Sequence, residues 1–332
     1  MSSSAIPALR RALLYVPASS PRMLAKSLTL TADNVTYDLE DSVTASMKDA
    51  ARAALQAHLA ALADNKKKQE NRPASIGEIA VRINGASTRH AEADIRAVAA
   101  LASVDALVVP KVNSPADLAF VEDAVASAGP RTRPLKLLAL VESARAVMDL
   151  RDICGASSRR GGGAGGGGGG LAGLIFAAED FALDLSLRRT PGLAEFLYAR
   201  SAVVTAARAF GLESAIDLVC TSYRGAEGQE RLEFECQDGR NLGFTGKQCI
   251  HPNQVPTVQR MFSPSKSEVE WAVRVLVADG KASAAGRGAW SLDGKMIDAP
   301  VVGKARATVA IAKRCGFDVD SIEQGWKHQE PE

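Results

Sequence analysis

Short apolar runs rich in valine, isoleucine and leucine recur along the chain between longer amphipathic segments. Strands covered on both faces lose strict alternation and read as such runs, so the pattern predicts strand-helix units around a buried parallel sheet. The runs are Ala12 to Ala18, Asn34 to Glu40, Ile79 to Asn84, Ala106 to Val112, Lys136 to Glu142, Gly173 to Asp180, Glu213 to Val219 and Gly246 to Pro252. Eight strand-helix units predict a closed (β/α)8 barrel, the TIM-barrel architecture. Alanine-rich segments such as Ala45 to Leu62 and Ala91 to Ala102 supply the helices, and Ser114-Pro115 opens another with proline at its first position. The rival architecture, a doubly wound open sheet, would carry a glycine fingerprint after its first strand, and Pro17-Ala18-Ser19-Ser20 is not one.

The barrel is predicted over residues 1–262, leaving a C-terminal extension over 263–332. In that extension a helix from Ser265 to about Ser283 and a second ending near Cys315 flank a glycine-bearing stretch, where Asp293-Gly294 signals a hairpin turn. The expected form is thus helix, hairpin, helix. Two low-complexity stretches interrupt the barrel: Asn65 to Asn71 with its lysines, and the glycine tract Gly161 to Gly170. The tract lacks phosphate-loop spacing and has little side-chain surface to offset ordering entropy, so it reads as a flexible surface insertion.

A length of 332 residues with 46% hydrophobic content can bury a large core. The 40 basic and 38 acidic residues leave a net charge of +2, too balanced to predict a nucleic-acid or membrane surface. Any anion must be held locally. Five scattered cysteines without a C-x-x-C pair fit reduced thiols rather than disulfides or a zinc site. No run reaches the roughly 18 apolar residues of a membrane helix. The first acid is Asp33, and Arg10, Arg11, Arg22 and Lys26 precede it, which suits a mitochondrial presequence superficially; a strand pattern already begins by Ala12. A cytoplasmic protein and one of the mitochondrial matrix both stay open.

Barrel enzymes gather their chemistry at the carboxyl ends of the strands. Here those ends carry Tyr15, Asp38, Glu40, Asp41, Arg82, Lys111, Glu142, Glu179, Asp180, Asp217 and His251. Glu142 and Asp180 close neighbouring runs, and two converging carboxylates suit a hard octahedral cation such as magnesium; strand-end acids also cap helices or pair with arginines. Arg82 offers a bidentate clamp for a carboxylate or thioester oxygen, or a salt bridge to Glu40 or Asp41. His251 reads as a general base or as a residue positioned by the backbone beside Pro252.

Segments along nearly the whole chain carry a resemblance: LLYVPASSPRMLAKS, YDLEDSV followed by KDAAR, VRIN, VVPKV, LALVESARAV, AAEDFALDL, GFTGKQCIHPNQV and DGKMIDAP. Their order and spacing resemble the HpcH/HpaI aldolase superfamily, in its citrate lyase β-subunit-like branch and within that the citramalyl-CoA lyases. The resemblance implies a TIM barrel, Mg2+ held by Glu142 and Asp180, and Arg82 against the substrate. It implies that Tyr15, Arg22 and Lys26 line the coenzyme A or acyl path, that Ile250 and His251 border the substrate, and that Glu40 and Asp41 support Arg82. The catalytic acid/base would be Asp298, in a C-terminal lid from a neighbouring subunit of a homotrimer. Expected activity is reversible carbon-carbon cleavage of a 3-hydroxyacyl-CoA to a smaller acyl-CoA and a keto acid. A malyl-CoA-type thioesterase and an aldolase on free keto acids are the alternatives. Where the family pattern has glycines, this chain has Ala18 and Ala177, and a methyl at either place narrows the substrate pocket.

Overall fold

The computed structural model describes residues 9–63, 75–161 and 170–332. The chain forms two compact units, residues 1–259 and 260–332. In the first, eight parallel strands pair in chain order and the last closes on the first. They are β1 (Ala12–Pro17), β2 (Ala32–Asp38), β3 (Ile76–Arg82), β4 (Ala106–Val109), β5 (Lys136–Val141), β6 (Leu171–Phe176), β7 (Ser214–Asp217) and β8 (Gly246–Cys249). Helices α1 (Pro21–Ser27) through α10 (Gln254–Met261) connect and follow them; those used below are α5 (Ala144–Met148), α7 (Ala178–Asp184), α8 (Leu197–Ala209) and α9 (Gly225–Leu242). The predicted barrel is therefore the observed fold. Most of the glycine tract and all of Asn65 to Asn71 lie outside the described residues.

Each strand's two faces meet different partners. Along β2, Val35 and Tyr37 face the helical layer, where the Tyr37 hydroxyl meets Ser27 at 2.7 Å and His58 at 3.1 Å. Alternate residues point inward: Thr36 donates to Asn34, and Asn34 donates to Glu78 on β3. Fully buried Arg10 completes this polar floor with two 2.7 Å bonds to Glu78. Above it the interior is apolar, with Leu13, Ala80, Val108, Leu138, Leu140, Ile175 and Ile216 packed together and Tyr15 against them. Gly246 allows β8 to pass the backbone of Arg10; a β-carbon there would lie 2.0 Å from the Arg10 carbonyl oxygen.

The strands end sooner than the apolar runs suggest. β6 stops at Phe176, and Glu179 and Asp180 belong to the first turn of α7. Likewise Glu40 and Asp41 follow β2, Lys111 follows β4 and His251 follows β8. Ladder bonding ceases once the chain turns over the rim, and an acidic first turn suits the positive end of a helix.

The second unit contains α11 (Lys266–Ala284), the hairpin β9 (Trp290–Leu292) and β10 (Lys295–Ile297), then α12 (Ala299–Arg314) and α13 (Val319–Gly325). Ser265 and Glu268 form a reciprocal capping box at the start of α11. Asp293 and Gly294 are the two hairpin residues, both with positive φ (50° and 71°), the combination of a type I′ turn. Trp290, Leu292, Ile297 and Val302 pack on Ala272, Val275 and Ala278. Helix α13, which the sequence reading does not anticipate, is capped by Asp318, whose carboxylate accepts from the Ser321 amide. No disulfide joins the five cysteines; Cys154, Cys220, Cys236 and Cys249 are buried and Cys315, at the end of α12, is half-buried.

Candidate active site

At the carboxyl ends of the strands lies a cavity of about 430 Å³, lined by residues that include Tyr15, Asp38, Asp41, Arg82, Asp180 and Gln248. Strand register explains its best-ordered part. Asp38 and Arg82 are direct register partners on β2 and β3, so their side chains emerge together at the rim. Arg82 Nε and Nη2 each donate to Asp38 at 2.7 Å, a fork-on-fork pair buried on the aspartate side. The third nitrogen, Nη1, lies 3.2 Å from Glu40 and 3.4 Å from Asp41. The anticipated partners Glu40 and Asp41 are thus secondary, and Asp38 holds the guanidinium. Tyr15 lies beneath it, ring centroid 4.7 Å from Arg82 Cζ, with its hydroxyl donating to Gln248 at 3.0 Å. Gln248 in turn donates to the Phe176 and Asp217 carbonyls, which ties this stack to β6 and β7. Burial sets the Tyr15 hydroxyl well above its ordinary pKa, so it serves as a neutral donor.

Next to this stack three carboxylates converge on Lys111. Its Nζ lies 3.0 Å from Glu40 and 3.4 Å from Asp180, and its peptide N–H donates to Glu142. Burial first, then Glu40 and Asp180, push the Glu142 carboxyl up to about 7, against the pull of Lys111. Burial also raises Glu40 despite Arg82 and Lys111. For Lys111, burial disfavours the charge, but Glu142 and Glu40 outweigh it and hold the ammonium above its usual value. The Lys111 ammonium meets two of the three carboxylates and its peptide N–H the third, and among the described residues buried Glu40 Oε2 has no hydrogen bond, with the Arg82 guanidinium its ionic neighbour at 3.2 Å. An all-oxygen donor set in which carboxylates outnumber the neighbouring cations fits a hard divalent cation, which Glu142 and Asp180 are placed to hold.

The other sequence candidates fall elsewhere. Ile250 lines the cavity. His251 does not; it stacks on Tyr223 at 5.1 Å, and its Nδ1 accepts from the Asn253 amide. Arg22 and Lys26 are exposed on α1 and absent from the cavity lining. Asp298 belongs to the second unit, where its carboxylate caps α12 by accepting from the Val301 amide at 3.2 Å.

The model of the HpcH/HpaI aldolase/citrate lyase family matches residues 11–252, which contain every strand of this barrel. The chain belongs to that family. Within this lyase family, human mitochondrial citramalyl-CoA lyase is 32% identical over 91% of this chain and 85% of its own length. A (3S)-malyl-CoA thioesterase of Cereibacter sphaeroides is 34% identical over 91% and 94% respectively. Among solved structures, CitE of Mycobacterium tuberculosis in complex with magnesium, acetoacetate and coenzyme A has a TM-score of 0.68 at 30% identity, covering 94% of this chain and all of that one. The family resemblance read from the sequence therefore holds, and the chain is an enzyme of this lyase family. Of the two alanines that depart from the family pattern, Ala177 lines the cavity, whereas Ala18 is buried and does not.

Proposed function

We propose that the protein is a Mg2+-dependent carbon-carbon lyase that cleaves a 3-hydroxyacyl-CoA such as citramalyl-CoA to acetyl-CoA and pyruvate, or runs the reverse condensation. The observation that carries this reading is the pairing, at one cavity, of a cation-deficient carboxylate cluster with an arginine clamped by Asp38. Glu142 and Asp180 would hold the metal, which supplies Lewis-acid stabilisation of negative charge on the substrate's oxygens. Its relatives' names and the CitE complex support the metal and the acyl-CoA class.

In cleavage, the bond between the hydroxyl-bearing carbon and the carbon next to the thioester breaks. The hydroxyl gives its proton to the Asp298 carboxylate as it becomes the keto acid's carbonyl, and the bonding pair passes into a thioester enolate. Arg82, fixed by Asp38 and Tyr15, lines the cavity, where its permanent positive charge stabilises the developing enolate oxygen. Asp298 returns a proton to the enolate carbon; in condensation it removes one. We assign that role to Asp298 of a neighbouring protomer in a homotrimer, with the second unit serving as a lid that excludes water.

Incubation of the Mg2+-loaded protein with citramalyl-CoA and malyl-CoA, following keto acid and free thiol in parallel, tests the reading. Keto acid without free thiol, lost on chelation with EDTA, is the expected result. Free thiol with an intact hydroxy acid would make the protein a thioesterase, the reading favoured by its similarity to the malyl-CoA enzyme.

Acidity should also control metal uptake. Because the Glu142 carboxyl stands at about 7 without metal, a proton occupies a ligand position below that pH. Apparent Mg2+ affinity is expected to fall by up to about tenfold per pH unit below neutrality and to level off above it. Calorimetric titrations at about pH 6 and about pH 8 check the sign; equal affinities would mean that Glu142 is not a ligand.

A further inference from the structure

Among the described residues, Lys111 touches all three carboxylates of the cluster, its backbone meeting Glu142 and its side chain Glu40 and Asp180. Its φ is +54°, a left-handed conformation that a lysine has no intrinsic reason to adopt. That conformation turns the peptide N–H onto Glu142. Asn113 secures it by donating to the Lys111 carbonyl while accepting from the Ser143 hydroxyl, one residue beyond Glu142. The backbone is therefore pinned. The side chain is not: it is 45% exposed and reaches Glu40 and Asp180 through its ammonium alone. Its longer contact, 3.4 Å to Asp180 Oδ1, engages an oxygen that a cation in the site would also need.

We propose that the Lys111 ammonium is a built-in counter-cation, partly offsetting the charge of the carboxylate cluster in the metal-free enzyme and giving way when the divalent ion enters. This rests on Glu142 and Asp180 being the metal's ligands. Charge argues for exchange rather than coexistence. An ammonium and a divalent ion a few ångströms apart repel, and Asp180, which the ammonium contacts, is a carboxylate that the divalent ion also requires. The pinned backbone keeps Glu142 oriented in both states, so only a flexible side chain needs to move.

The test is a calorimetric Mg2+ titration of the wild-type protein beside Lys111→Asn and Lys111→Gly. Asparagine and glycine both accept a positive φ, so each variant removes the ammonium while preserving the hydrogen bond from the peptide N–H to Glu142. Both are expected to bind Mg2+ at least tenfold tighter than wild type. Their metal-free forms should melt at lower temperature and gain more from added Mg2+. Lys111→Arg, which keeps the charge, should retain affinity near that of wild type. General damage to the site could only weaken binding, so the direction of the change separates competition from a structural role. Unchanged or weaker Mg2+ binding in both neutral variants overturns the proposal. Absence of binding by the wild-type protein would instead overturn the assignment of Glu142 and Asp180 as ligands.

Discussion

Arg82→Lys and Asp298→Asn, each strongly impaired on its own, are expected to regain turnover when their purified proteins are mixed and allowed to exchange subunits. Arg82 makes two bonds to Asp38 and still lines the cavity. A lysine ammonium can neutralise Asp38 or face the enolate, not both. Loss of one such donor costs about two to three orders of magnitude in kcat. Asparagine at 298 still accepts a bond from Val301, so α12 keeps its cap, while the proton donor is lost at a cost of about a hundred- to ten thousandfold. If the acid/base comes from a neighbouring protomer, a mixed assembly contains sites with both Arg82 and Asp298 intact. Recovery of at least about tenfold over either variant would support this, given how much each loss costs. No recovery, with subunit exchange verified by native mass spectrometry, would show that Asp298 does not work across protomers.

A second large effect concerns stability. Arg200→Met should lower the midpoint of thermal unfolding by roughly 6–20 °C, because a broken buried pair costs about 3–5 kcal/mol and a unit of this size shifts by roughly 2–4 °C per kcal/mol. Arg200 on α8 is almost fully buried and donates twice to Asp217 at the end of β7, at 3.0 and 2.7 Å; Asp217 is 0% exposed. Asp217 has no room to turn away, since a β-carbon on Gly239 of α9 would already lie 2.4 Å from its Oδ2. Asp238, the third member, is part-exposed and can hydrate when Arg200 is lost. The double variant Arg200→Met/Asp217→Leu should recover most of the loss, as it leaves no buried charge behind. A single variant that melts within about 2 °C of wild type would show that water reaches Asp217.

How much of this was legible in the sequence follows from what is local and what is not. Burial on both faces makes strands such as β4 and β5 recognisable apolar runs, and polar residues at the run ends mark the rim. The partner of Arg82 is different in kind. Glu40 and Asp41 are as near as Asp38 in the chain, and only the register of β2 against β3 puts Asp38 beside the guanidinium. Lys111 shows a similar limit. It stands among the polar run-end residues, but nothing in Val-Pro-Lys-Val announces a positive φ, which glycine or asparagine would have signalled. Helix α13 is short, and its one local signal is Asp318 placed three residues before Ser321.

The distribution of the thiols has a practical side. Four cysteines are buried in the barrel unit, burial raises the pKa of each, and a protonated thiol is a poor nucleophile. Cys315, alone of the five, is not buried, and it closes the helix that Asp298 opens. The native chain therefore carries its own selective attachment point for a fluorescent dye, on the element whose movement matters most to a lid mechanism, with no engineered cysteine required.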